Sequence, residues 1–83
     1  MTRLWPDGIP ITVHSRDGQP RQFTWHQQPH PVSAVVRHWR VDVSWWRVRI
    51  WRDYFKVTTH TGLLVILYRD LDSNRWFLQR LYD

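Results

Sequence analysis

Apolar and polar residues alternate in several short runs along this 83-residue chain. Ile9–His14, Arg21–His26 and Asp53–Thr59 each place apolar side chains at every second position, which is the period of a β-strand with one buried face. Leu63–Arg69 is apolar on both faces and is therefore predicted to be a central strand covered on both sides. Arg75–Tyr82 is predicted to close the sheet.

The segments between these runs predict turns, with one ambiguity. Asp17-Gly18 is a strong signal for a hairpin turn. Gln27–Pro31 is predicted to be a loop because it contains two prolines. Val32–Val43 fits the apolar spacing of a helix as well as that of a strand, but its density of β-branched valines favours a strand.

Together these patterns predict one all-β domain at residues 9–83, preceded by an N-terminal arm at residues 1–8. Six or seven short antiparallel strands are expected. In so short a chain they should form a curled sheet or an SH3-like barrel, with an OB-like barrel as second choice, because flat sheet edges invite aggregation. The chain has no cysteine, so most of its seven tryptophans are expected to stabilise the core.

The charged residues give information about the binding partner rather than about the fold. Eleven arginines and one lysine face seven aspartates and no glutamate, for a net charge of +5. This excess favours a polyanionic partner, with nucleic acid ahead of a membrane surface. The alternative is that the arginine excess over lysine reflects a GC-rich genome or adaptation to heat. No apolar run approaches the ~20 residues that span a membrane, and MTRLWPDG lacks the features of a signal peptide. A cytoplasmic protein without a membrane partner is expected.

Catalytic and metal-binding patterns are weak in this sequence. His26 and His30 are four residues apart, but the neighbouring prolines break any helix that would align them. Asp70 and Asp72 lie in a predicted turn, where aspartate bonds to its own backbone. We find no glycine-rich phosphate loop and no nucleophile motif. The prediction is a protein that is not an enzyme, with no metal, no cofactor and no small-molecule substrate.

The stretch 37–59 mixes aromatic and basic residues more densely than any other part of the chain. If 44–52 is one strand, Trp46, Val48 and Ile50 share one face. Its other face is then an alternation of indoles and guanidinium groups that can stack on bases and bind phosphate. That second face holds Trp45, Arg47, Arg49 and Trp51. The predicted nucleic-acid-binding residues are Arg37, Arg40, Trp45, Arg47, Arg49, Trp51, Arg52 and Lys56.

Two functions from different classes follow from this stretch. The first is binding of single-stranded DNA through phosphate contacts and base stacking, which requires Trp45 or Trp51 to be exposed beside arginines. The second is a protein-interaction module, which requires an exposed apolar patch. The first loses its basis if both indoles are buried and the arginines pair with aspartates such as Asp42 and Asp53.

The chain also resembles a known family. The residues that carry the resemblance are Trp45-Trp46-Arg47, Arg52-Asp53-Tyr54-Phe55, Leu67–Leu71, Trp76 and Leu81-Tyr82-Asp83. They are similar to a small bacterial domain of unknown function that is encoded near, or fused to, error-prone polymerase components of the SOS mutasome type. The resemblance spans about residues 9–83. It implies a setting in DNA repair or translesion synthesis, with DNA or a polymerase subunit as partner, and it brings no catalytic residues. Trp46, Tyr54, Phe55, Tyr68 and Trp76 are expected to be its fold determinants.

Overall fold

The computed structural model describes residues 2–82, so Met1 of the predicted arm and Asp83 of the predicted domain lie outside the described residues. Residues 2–82 form one antiparallel sheet of seven strands and no helix, which confirms the all-β prediction. The sheet order is β1-β7-β6-β5-β4-β3-β2. The strands are β1 (Arg3–Pro10), β2 (Thr12–Arg16), β3 (Gln19–Trp25), β4 (Gln28–Trp45), β5 (Val48–Thr59), β6 (Leu64–Asp70) and β7 (Arg75–Tyr82).

The sheet is curled but is not closed into a barrel, so the curled sheet describes it and the SH3-like barrel does not. β1 and β2 follow each other along the chain yet stand at opposite ends of the sheet order. Ile11 joins them, and its N–H donates to the carbonyl of Trp76 at 3.2 Å. The predicted strand Ile9–His14 is therefore divided at Ile11. Pro10, next to this break, has no backbone N–H to donate to a neighbouring strand.

Two tight turns organise the strands on either side of β3. Asp17 and Gly18 have φ of 54° and 76°, which confirms the predicted hairpin turn and identifies it as type I′. The predicted loop Gln27–Pro31 is wrong, because the turn is made by His26 and Gln27 alone. The two prolines that follow lie in β4, and Pro31 presents its carbonyl to His60, on the side away from β3. Because Pro31 directs its backbone groups away from β3, its missing N–H removes no hydrogen bond between β3 and β4.

Residues 3–8, predicted as part of an N-terminal arm, lie in β1, where Arg3 and Leu4 pair with Leu81 and Arg80 of β7. A bulge between Leu4 and Ile9 lifts the chain over the sheet. There the carbonyl of Asp7 accepts a 2.6 Å hydrogen bond from the Tyr68 hydroxyl. Gly8 has a φ of +74°, and a Cβ there would lie 2.7 Å from a ring carbon of Tyr68. Glycine is thus required both by the backbone conformation and by the close approach.

The core lies on the inner, concave face of the sheet, and a smaller cluster lies on the outer face. Trp76 is the one buried tryptophan among the seven, and the half-buried Trp5, Trp25 and Trp39 pack against the two core clusters, so four of the seven contribute to the core as expected. Four others are half-buried, and two are exposed. The inner core comprises Phe23, Phe55, Val57, Val65, Leu67, Trp76 and Leu78, and the outer cluster comprises Tyr54, Ile66 and Tyr68.

The predicted strand at Val32–Val43 is confirmed as part of β4, but the predicted strand at 44–52 is wrong. The chain instead turns at Trp46-Arg47, so Trp45 pairs with Val48 across a two-residue loop. β6 pairs with β5 only from Arg52 onwards, and β3 pairs with β4 only up to Pro31. Residues 42–51 therefore extend beyond the sheet as a two-stranded ribbon, which we call the distal hairpin.

Candidate nucleic-acid interface

The turn at the end of the distal hairpin divides the predicted binding face in two. Residues directly opposite each other in an antiparallel pair share a face. Trp45, opposite Val48, lies on the outer face. Arg49, opposite Ser44, and Trp51, opposite Asp42, lie on the inner face. The alternation of Trp45, Arg47, Arg49 and Trp51 on one face is therefore a wrong prediction, because it assumed an uninterrupted strand.

Two of the inner-face arginines, Arg40 and Arg49, are held in local ion pairs. Arg49 donates from Nε and Nη2 to both carboxylate oxygens of Asp42, at 3.2 and 3.3 Å, and its guanidinium lies 4.5 Å from the ring centre of Trp51. Arg40 donates in the same two-bond manner to the buried Asp53, at 2.8 and 3.2 Å. These two arginines carry structural ion pairs, which reduces the positive charge that they offer to a ligand.

The pair between Arg40 and Asp53 gives a pH-dependent prediction. The hydrogen bond from Arg40 lowers the pKa of Asp53 below 3.8, and nearby His38 acts in the same direction. A lowered carboxyl pKa contributes stability that is present above pH ~4 and is lost as the pH falls through the lowered value. Asp53→Asn is expected to cost about 1–2 kcal/mol at pH 7. Denaturant unfolding should show this cost shrinking below pH 4.

The matched control for this prediction is Asp42→Asn. Both members of its pair with Arg49 are about half-exposed, and solvent screens such pairs, so the expected cost is below about 1 kcal/mol. Equal costs for the two substitutions would contradict the structural role of Asp53.

The outer face of the sheet carries the main basic surface. Side chains from β4, β5, β6 and β7 cross it in three rows, set by the strand register. Five cations in these rows face one carboxylate, Asp70. The rows are Arg37–Lys56–Ile66–Arg80, Trp39–Tyr54–Tyr68–Phe77 and Val41–Arg52–Asp70–Arg75. We call this surface the basic face.

Aromatic rings hold the cations of the basic face in place. The rings of the middle row lie 4.9–5.3 Å apart from one strand to the next. The guanidinium of Arg37 lies 4.9 Å from the ring centre of Trp39, and that of Arg52 lies 4.3 Å from Tyr68. Burial raises the pKa of Tyr68, so its hydroxyl remains a hydrogen-bond donor. Cations packed on rings lose side-chain freedom before a ligand arrives, which lowers the cost of binding.

The distal hairpin continues the outer face with apolar and aromatic side chains. Trp45 is 74% exposed and Trp46 is 88% exposed. Val43 and Val48, beside Trp45, are also exposed. Trp46 has a φ of 56°, a conformation that a bulky residue rarely adopts and that is worth about 1–2 kcal/mol of strain. Strain of this kind concentrates at functional positions. The expectation that Trp46 is a fold determinant is wrong, since almost nothing packs on it.

The conformation of Trp46 gives a second prediction. Trp46→Gly removes the left-handed strain and loses little packing, because the indole is so exposed. We expect the free energy of unfolding to rise by about 0.5–1 kcal/mol, measured by urea denaturation. Trp45→Gly is the control. Trp45 has no positive φ, so glycine at this position should lower the free energy of unfolding of the protein. A loss of stability in Trp46→Gly would show that the indole supports the fold.

The structure therefore separates the eight predicted site residues into groups. Three cations lie on the basic face, Trp45 lies on the same outer face two rows further along the distal hairpin, and Arg47 is exposed at the tip. Three residues lie on the inner face. The three cations on the basic face are Arg37, Arg52 and Lys56. The three residues on the inner face are Arg40, Arg49 and Trp51. Arg75 and Arg80 belong to the basic face but were missed, because only the register of β6 with β7 brings them there.

Other kinds of site find little support in residues 2–82. These residues contain no cluster of three or more side chains suited to holding a metal ion, and their surface forms no pocket. No helix in this range is long and apolar enough to cross a membrane.

Comparison with known proteins adds no relative: no family model matches the chain, and searches of curated proteins and of solved structures find no significant match. The candidate interface rests on its geometry.

Proposed function

We propose that this protein is a binding module for single-stranded DNA. The basic face binds the phosphate backbone, and the exposed indole of Trp45 stacks on a base. The observation that carries the proposal is the concentration of five cations in the rows of the basic face against Asp70 and the nearby Asp7, with the exposed Trp45 two rows further along the same outer face. Positive grooves or faces bordered by aromatic rings are the common design of proteins that bind single strands.

The ion pairs elsewhere in the sheet strengthen this proposal. Asp42 and Asp53 are the two carboxylates in the basic and aromatic stretch, and both point to the inner face, where they pair with Arg49 and Arg40. Neither carboxylate therefore weakens the field of the basic face at close range. Two of the inner-face arginines are thus balanced by carboxylates that do not reach the basic face.

The proposed cellular setting is DNA repair or translesion synthesis in the cytoplasm. It rests on the resemblance to the small bacterial domain encoded near error-prone polymerase components. A non-catalytic module that holds single-stranded DNA suits that setting, because such polymerases act on exposed template strands. Sequence preference is expected to be weak, since stacking and phosphate contacts read no base edges.

The experiment that tests the proposal is tryptophan fluorescence during titration with a short single-stranded oligonucleotide. We expect quenching at low salt and weaker binding at moderate salt. With four or five phosphate contacts, the slope of log K against log salt should be about −3. No change in fluorescence or anisotropy at low salt, where ionic binding is strongest, would refute the proposal.

A second candidate function is supported by a separate observation. The outer face of the distal hairpin is apolar, with Val43, Trp45, Val48 and Ile50 all exposed. Such a patch suits docking on a protein, here a polymerase subunit, without direct contact to nucleic acid. Val43→Ser/Val48→Ser separates the two functions. It should leave oligonucleotide affinity unchanged if the basic face binds DNA, and should abolish binding to the subunit if the hairpin docks there.

A further inference from the structure

We infer that β4 is the interface of a symmetric dimer, in which Arg37–Trp45 of one copy pairs antiparallel with the same segment of a second copy, centred on Val41. The inference does not rest on the proposed binding of DNA, although Arg37 and Trp45 belong to both surfaces. It rests on the open edge of β4, on the direction of its backbone groups and on the charges along it.

The edge of β4 is open over a long, regular segment. Among residues 2–82, β5 is the only strand that pairs with Arg37–Trp45. Bulges interrupt β4 between Val32 and Ala34 and between Val35 and Arg37, but none follows. Natural sheets shield open edges with bulges, prolines or charged side chains. This segment has no bulge, proline or lysine, and its inner-face charges, Arg40 and Asp42, are of opposite sign. A regular edge of this kind is a template for a further strand.

The backbone groups that face this open edge can be identified. Trp51 presents its carbonyl to Leu71, on the β6 side of β5, and His60 presents its N–H to Pro31, on the β4 side. Even-numbered residues of β5 therefore bond to β4. Their partners in the register from Arg37↔Lys56 to Trp45↔Val48 are the odd-numbered residues of β4. The even-numbered residues, from His38 to Ser44, thus direct their N–H and C=O groups to the open edge.

Charge selects one register for two copies of this edge. Hydrogen bonding between even-numbered residues allows three central registers, centred on Arg40, Val41 or Asp42. Centring on Arg40 places two guanidinium groups opposite each other, and centring on Asp42 opposes two carboxylates. Like charges directly opposite each other are destabilising. Centring on Val41 instead places Arg40 of each copy opposite Asp42 of the other.

In the register centred on Val41, the outer-face side chains of the two copies also complement each other. It sets Trp39 opposite Val43 of the second copy, and Arg37 opposite Trp45, where a guanidinium can lie on the exposed indole. On the inner face, the Arg40 and Asp42 contacts extend the existing pairs with Asp53 and Arg49 into a row of alternating charge. A segment that complements itself in both charge and apolar character favours a second copy over an unrelated peptide.

Single cysteines test the register, since the chain has none of its own. Across the two-fold axis, Val41 would lie about 4.5 Å from its counterpart between Cα atoms, which suits a disulfide. Val43 would lie about 14 Å from its own counterpart. Under mild oxidation, Val41→Cys is expected to form a covalent dimer at least tenfold faster than Val43→Cys, although Val43 is the more exposed. Equal rates, or faster cross-linking of Val43→Cys, would overturn the inference.

Solution mass tests the dimer itself. Light scattering during gel filtration should give twice the 10.3 kDa of one chain at micromolar concentration. Ser44→Pro removes an N–H that faces the open edge without removing a bond to β5, so two intermolecular hydrogen bonds are lost by symmetry. It should raise the dimer dissociation constant about tenfold or more, whereas Ser44→Ala keeps the N–H and should not. A monomer at all concentrations, or equal dimerisation by both variants, would overturn the proposal.

Discussion

Reversing two charges on the basic face, in Arg37→Glu/Lys56→Glu, is expected to weaken binding of a single-stranded oligonucleotide roughly 100-fold at low salt. These residues face each other across β4 and β5 in the same outer row. Each reversal removes a phosphate contact and adds a repulsive charge, in a row where the described partners are Ile66 and Arg80. The slope of log K against log salt should fall in magnitude by about 1.4.

The control for this experiment is Arg16→Glu/Arg21→Glu, which changes the net charge of the chain by the same amount. Both residues are exposed on the β2–β3 hairpin, away from the basic face. We expect this variant to lose less than about fivefold in affinity, through the general field alone. Equal losses in the two variants would mean that DNA is held by overall charge, and the basic face would no longer define the site.

Gly8→Ala is expected to cost about 3 kcal/mol or more of unfolding free energy. The new methyl group would lie 2.7 Å from a ring carbon of Tyr68 and 2.8 Å from the Cβ of Phe77. The Cβ of Phe77 cannot move without the backbone of β7. Relief of the overlap would lift β1 off the sheet and break the hydrogen bond between the Tyr68 hydroxyl and Asp7. Denaturant unfolding at neutral pH measures the cost.

Gly18→Ala separates the overlap from the backbone strain. Gly18 has nearly the same φ, +76°, but no atom lies within 4 Å of the position that a methyl group would take there. Its substitution should therefore cost only the strain of the left-handed conformation, about 1–2 kcal/mol. If the two variants lose the same stability, the close packing of Gly8 on Tyr68 and Phe77 contributes nothing.

The fold class could be predicted because strand period and turn chemistry are local signals. Alternation in Arg21–His26 and the Asp17-Gly18 pair act over a few residues, and both predictions hold. The turn at Trp46-Arg47 could not be predicted in the same way. Hairpin turns with positive φ normally carry glycine, asparagine or aspartate, and a tryptophan gives no such signal.

The unpredicted turn at Trp46-Arg47 also limited how much of the candidate site could be predicted. The basic and aromatic composition of 37–59 pointed to β4 and β5, and three of the predicted cations do lie on the basic face. One undetected turn exchanged the faces of the residues on either side of it, since side chains alternate in a strand. Arg75 and Arg80 join the site through pairing between β6 and β7, with a bulge between Ile66 and Leu67 that no local pattern shows.

The pairing of β1 with β7 has a consequence for the order of folding. Arg3 pairs with Leu81, so β1 finds its neighbour in the sheet only after β7 has been made. The hairpins from β2 to β7 join neighbours in sequence and can form as synthesis proceeds, whereas β1 must wait in an unpaired state. We expect docking of β1, with Gly8 packed on Tyr68, to be the last step in forming the sheet.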